Sequence, residues 1–162
     1  MGVFDEACFC DLLGERLNKE WNEIIEGAKR KQKAKLEELE EKIKAWKDYA
    51  PPSFEKITLI RYVEGLPRAF SLEDALKDAR EKELGESYMI VYQSKREKTF
   101  KILDSLSVHP EDTMESLRVK LGEMYRKCLE EYEEAKSSLV PFIDWDRLRN
   151  VGEIAALKKQ VC

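Results

Sequence analysis

DLLGERLNKEWNEIIEGAKRKQKAKLEELEEKIKAWKDY, residues 11–49, contains no proline and no cluster of turn residues, and glycine interrupts it only at Gly14 and Gly27. The stretch predicts one long charged helix. At the α-helical rise it would be roughly 58 Å long. A compact chain of this length has a radius of gyration of only about 15 Å. Such a helix must either protrude or fold back, and a protruding apolar stripe needs a partner. Leu17, Trp21, Ile24 and Ala28 follow steps of four and three, as do Leu36, Leu39, Ile43, Trp46 and Ala50. Each set is a coiled-coil-like seam. Between Ala28 and Leu36 the phase slips by one residue, at the basic run Lys29–Lys35. Glu38 with Lys42 and Glu40 with Lys44 are well-oriented i,i+4 pairs, each contributing ~0.2–0.5 kcal/mol. The predicted interface is Leu17, Trp21, Ile24, Leu36, Leu39, Ile43 and Trp46. The two tryptophans are bulky for a narrow two-helix seam and suit a broader surface, either a partner's or the protein's own.

Pro51-Pro52 ends this helix, because proline lacks the N–H and disfavours helix in the residue before it. The β-branched and aromatic run 56–63 predicts a strand, and Gly65-Leu66-Pro67 a turn. Ser71 is a suitable N-cap for a helix over 72–84, with Asp74 in the capping-box position and Gly85 as its stop. Residues 87–93 predict a second strand that is apolar on both faces, as a central strand is. The polar segment 94–97 has the length of a hairpin loop, and 99–106 is a third strand, antiparallel to the second. The connection between the first and second strands is long enough to permit parallel pairing. His109-Pro110-Glu111-Asp112 opens a last major helix, with acids in its first turn. Its apolar stripe is Met114, Leu117, Leu121, Met124, Cys128, Tyr132, Ala135 and Leu139, and it is expected to cover Leu59, Ile90, Val91 and Ile102. Pro141 stops it, and short helical pieces follow around 144–149 and 153–159. The expected fold is α+β: a small mixed three-stranded sheet packed by helices, with a long N-terminal coiled-coil-like helix. Residues 1–50 form the helical segment, and 51–162 the α+β domain with a helical tail.

Charged residues make up 38% and hydrophobic residues 43% of the 162, so the chain carries enough apolar surface to fold. A net charge of -4 offers no global attraction for nucleic acid or an anionic membrane. No apolar run approaches the ~20 residues that span a bilayer, so no membrane partner is expected. Lysine and glutamate dominate the charged set, and asparagine and glutamine are few, a balance shared by thermophile proteins and by merely helix-rich ones. Asp5 and Glu6 do not fit a secretory leader. Glu6 and Cys162 fit neither a myristoylation nor a prenylation signal. A cytoplasmic location with cysteines as thiols is the expectation.

The candidate chemistry is sparse. Lys29, Arg30, Lys31, Lys33 and Lys35 could contact phosphates. Helical geometry spreads these charges around the cylinder, no aromatic side chain is interleaved to stack a base, and the acidic run Glu37–Glu41 follows. Cys8-Phe9-Cys10 has a one-residue gap where structural zinc sites have two to four, so it reads as part of an apolar segment with Val3 and Phe4. His109, the sole histidine, could in principle serve Cys128 as a base. Cys128, however, stands within an apolar stripe, where a thiol is ordinarily packing. Asp144 and Asp146 read as a helix start. No phosphate loop, dinucleotide fingerprint, GxSxG or HExxH occurs. No catalytic residue, metal or cofactor is implied. The expected function is a non-enzymatic interaction or assembly subunit, joined to itself or to another protein through the long helix. A nucleic-acid-associated accessory protein is the alternative, and an enzyme the third.

Overall fold

A computed structural model describes the backbone of residues 6–162 and side chains from Phe9 onward. The expected packing of Val3, Phe4 and Cys8 lies outside that description. The chain is mixed α and β with a long N-terminal helix, as the sequence implies. That helix, α1 (Glu6–Asp48), is continuous through Gly14 and Gly27 and begins five residues before the quoted stretch. Two compact units divide the described residues: 6–36 with Glu134–Cys162, and Glu37–Glu133. They are called unit 1 and unit 2.

Unit 2 holds the sheet. The three expected strands are present, and a fourth joins them. β1 (Leu59–Val63), β2 (Leu66–Phe70), β3 (Glu86–Ser94) and β4 (Thr99–Val108) lie in the order β2-β1-β3-β4. Every neighbouring pair is antiparallel, which corrects the expected mixed, three-stranded sheet. The missed element is the β1–β2 hairpin. Glu64 (φ 53°) and Gly65 (φ 80°) form its two-residue turn. Two consecutive positive φ values define the tight hairpin turn whose twist matches its strands. Glutamate in the first of these positions gives a weaker signal than asparagine or aspartate. The segment read as a turn continues as β2. Pro67 is tolerated there because β2 is an edge, where a missing N–H costs no ladder bond. This extra reversal brings β1 back antiparallel to β3.

α2 (Leu72–Lys82) starts where expected, with Ser71 Oγ accepting from the Asp74 N–H at 3.1 Å. Its stop is not Gly85. Glu83 takes the left-handed cap conformation (φ 53°). Gly85 instead leaves room for the His109 ring, whose Nδ1 would stand 2.5 Å from a Cβ. The last major helix, α3 (Met114–Ser137), begins after Thr113 and not at Pro110. Ser116 and Thr113 bond each other's N–H groups there, at 2.8 and 3.1 Å.

One face of the sheet carries the core. Tyr88, Ile90, Tyr92 and Ser94 of β3 point into it, with Leu59, Phe70, Leu103, Leu106 and Val108. Leu39 and Trp46 of α1, Ala75 and Ala79 of α2, and Leu117 and Leu121 of α3 are buried with them. Trp46 meets Phe54 edge-on at 6.0 Å and stacks on Tyr125 at 6.3 Å. Arg61, beneath α2, bonds Asp78 at 2.7 Å and lies over the Phe70 ring at 5.3 Å; Tyr88 also donates to Asp78. Burial and this bond to a carboxylate push the Tyr88 hydroxyl up to about 12.

Unit 1 is helical. α4 (Trp145–Val161) is one helix, not the two expected pieces, and Asp144 Oδ1 caps it by accepting from the Arg147 N–H at 3.1 Å. Ser138–Ile143, with a 3₁₀ turn at Val140–Phe142, leads into it. Buried apolar side chains here are Leu13, Ile24, Ala28 and Ala135. α4 has no buried residue. It is held by other means. Arg147 reaches Glu20 at 2.8 Å and also pairs with Glu23. Cys10 and Cys162 form a disulfide across a Cα–Cα distance of 6.1 Å. The expectation of thiols is therefore overturned at these two cysteines.

Candidate interaction surface

The face of the sheet opposite the core is formed by alternation. Along β3, Ser87, Met89, Val91 and Gln93 point away from the core. Their partners on β4 are Ser107, Ser105, Ile102 and Phe100. On the other side, Ile60 stands beside Met89 and Ala69, and Tyr62 beside Pro67. None of these positions holds lysine, arginine, aspartate or glutamate, in a chain that is 38% charged; the outward charge is Asp104, beside Ser105 at the β4 bulge. Phe100 is 71% exposed, Tyr62 60% and Ile102 56%. Val91 and Ile102 thus lie on the open face, correcting the expectation that α3 covers them. Leu59 and Ile90 do lie on the core face with α3's Leu117 and Leu121. An antiparallel sheet with one face in water ordinarily shows polar side chains there. A contiguous apolar patch on such a face marks an interaction site.

The edges of the sheet differ from its face. β2 carries Pro67. β4 is interrupted by a bulge opposite Ile90 and Val91, where Leu103 turns inward and Asp104 outward. Proline and bulges blunt edges against strand addition. The chain is guarded at its edges and unguarded on its open face.

The hairpin that presents Phe100 is held by α1. Glu41 accepts from Ser94 Oγ at 2.8 Å and from the Arg96 N–H at 3.2 Å, and Arg96 pairs with Glu37 at 2.9 Å. Burial alone would raise the Glu41 carboxyl, but the Ser94 and Arg96 hydrogen bonds outweigh it and hold it below its ordinary value. Lys101 pairs with Glu97 at 2.7 Å across the same loop. Tyr49, just past α1, donates to the Val91 carbonyl. These bonds fix the strand ends without adding charge to the open face. Beside them, Glu41, Lys44, Asp48, Tyr49, Tyr92 and Lys95 line a shallow groove of about 310 Å³. Among the described residues the buried Tyr92 hydroxyl has no hydrogen-bond partner.

The predicted interface of α1 is largely occupied within the chain. Ile24, Leu39 and Trp46 are buried, and Leu17, Leu36 and Ile43 are half-buried. Trp21 alone among them is exposed, at 50%. The phase slip is bridged by Gln32, whose Nε2 donates to the Ala135 carbonyl at 2.8 Å. Gln32 is four residues from both Ala28 and Leu36, so it completes a run of four-residue steps. Its polarity hid it from an apolar pattern. In the basic run Lys29, Arg30, Lys31 and Lys33 are exposed and Lys35 is half-buried; Lys29 pairs with Glu26 at 3.6 Å.

The catalytic candidates do not converge. His109 precedes α3, and Cys128 is a buried thiol fourteen helical steps beyond Met114, about 21 Å along the axis. Among the described residues no three His, Cys, Asp or Glu side chains gather to hold a metal, and no helix is long and apolar enough to cross a membrane. Comparison with protein families, with curated proteins and with solved structures finds no match to this chain.

Proposed function

We propose that this chain is a non-enzymatic interaction or assembly protein, and that it docks through the open face of its sheet. The observation that carries this reading is the scarcity of charge on a face that exposes Phe100, Ile102 and Tyr62 and whose outward charge is Asp104 at the β4 bulge. Depletion of charge and enrichment of aromatics are what separate an interface core from ordinary surface. The long helix then serves as a scaffold: its Leu39 and Trp46 are already buried by the chain's own residues, and its Glu37 and Glu41 brace the β3–β4 hairpin. The test is the double change Phe100→Asp with Ile102→Asp. Association should be lost while circular dichroism and thermal unfolding stay unchanged. Association that survives the double change with full strength contradicts the reading.

A further inference from the structure

We infer that the occupant of the open sheet face is a second copy of the same chain, packed face to face; this rests on the reading above. Charge is the first argument. The chain is acidic overall, at -4, so two copies repel wherever charged surfaces meet. The open face is where they can meet with little like charge brought together, since its outward charge is Asp104 at the β4 bulge. A foreign partner selected by charge would find little there to read beyond Asp104.

Shape is the second argument. An isologous contact uses the same patch twice, so the patch must carry both a projection and a recess. The register supplies both. The bulky side chains run diagonally, from Tyr62 on β1 through Met89 and Val91 to Ile102 and Phe100 on β4. The corner beside that ridge, at the far end of β4, holds the small side chains Ser105 and Ser107 with Ser87 opposite, and Asp104 stands at its border. The ridge of one copy fits the serine corner of the other, at the ~30° crossing that twisted sheets adopt when they pack.

Area is the third. Four strands at a spacing of ~4.8 Å, averaging about seven residues of ~3.3 Å rise, give a face of about 460 Å² before side-chain relief is added. Specific interfaces begin at about 600 Å² per partner. The face therefore suits a reversible dimer and not a permanent one.

The experiment is sedimentation equilibrium of the full chain over a wide concentration range, with isotope-filtered NMR on a mixture of labelled and unlabelled protein. The expected result is a mass that rises from one chain to two, with contacts between the Phe100 ring of one copy and the Ser105–Ser107 segment of the other. Phe100→Asp with Ile102→Asp should remove the dimer, and Trp21→Asp on α1 should leave it intact. Ser105→Leu, which fills the recess without adding charge, should weaken dimerisation at least tenfold with no change in fold. A dimer lost through Trp21→Asp and kept in the sheet variant overturns both this inference and the functional reading. A chain monomeric at every concentration, whose Phe100 and Ile102 resonances shift on binding a different purified protein, overturns the second-copy inference and leaves the functional reading standing.

Discussion

The two units solve the same problem with different forces, and α1 takes part in both. In unit 2 the helix lays Leu39 and Trp46 into a core with Phe54, Tyr88, Leu117 and Leu121, all essentially inaccessible to water. In unit 1 the same helix buries Leu13, Ile24 and Ala28, while α4 has no fully buried side chain, only half-buried ones such as Leu148, Val151 and Ile154, and is held by a disulfide and an arginine fork. The difference is one of available apolar area. A four-stranded sheet gives helices a broad surface to cover, whereas helix against helix offers only a narrow stripe. Where a small unit cannot build a sufficient core, a covalent link can limit the unfolded state instead.

The largest effect should come from Trp46→Ala. It removes a buried aromatic side chain and should cost unit 2 about 3–5 kcal/mol in chemical denaturation. A loss under ~1 kcal/mol would show that the pocket around Phe54 and Tyr125 collapses, and would weaken the contrast between the units. Leu121→Ala should follow at about 2–5 kcal/mol.

Cys10→Ser should act on unit 1 alone. Removing a disulfide that spans a long loop costs about 2–4 kcal/mol. Amide protection should fall along α4 and stay unchanged in β3 and β4, measured by hydrogen exchange under matched conditions. Equal loss of protection in the sheet would erase the distinction between the units.

Acid should act on unit 2 through Asp112. Burial raises its carboxyl, but Lys120 at 2.9 Å, the His109 N–H and Ser116 Oγ, each at 2.8 Å, together hold it below the ordinary 3.8. A depressed folded-state pKa means that stabilisation is complete above the unfolded value and disappears as pH falls through the folded one. Unit 2 should therefore lose stability below pH 3.8, and Asp112→Asn should flatten that part of the profile. Tyr88 carries the opposite sign. Its raised pKa means stability is present below pH 10 and lost on approach to about 12, a loss that Tyr88→Phe should reduce.

The smallest effect concerns the basic run. Changing Lys29, Arg30, Lys31 and Lys33 to Gln should leave stability within about 0.5 kcal/mol, as exposed surface changes ordinarily do. Neither the native chain nor the variant should bind oligonucleotides more tightly than about 100 μM at physiological salt. Sub-micromolar binding that falls steeply with salt, and that the change abolishes, would restore the nucleic-acid alternative.

By itself, the sequence determined the elements whose signals are local. The long helix is legible because no residue from 11 to 49 breaks it. Ser71 and Asp144 are legible as caps because a short polar side chain before a helical run satisfies an orphan N–H. The β3–β4 hairpin follows from two apolar runs joined by four polar residues. Tertiary structure decided what depends on distant partners. Pro67 hid an edge strand, since only a strand's position in the sheet shows whether a missing N–H matters. Gln32 continued a seam that an apolar count ends at Ala28, because its amide meets the Ala135 carbonyl more than a hundred residues away. Cys10 and Cys162 are 152 positions apart, and no spacing rule pairs them. The alternation of β3 showed two apolar faces, but one apolar face looks like the other in one dimension. Only the placement of α1, α2 and α3 on the same side made one of them the core and left Met89 and Val91, with Phe100 and Ile102, as the surface open to a partner.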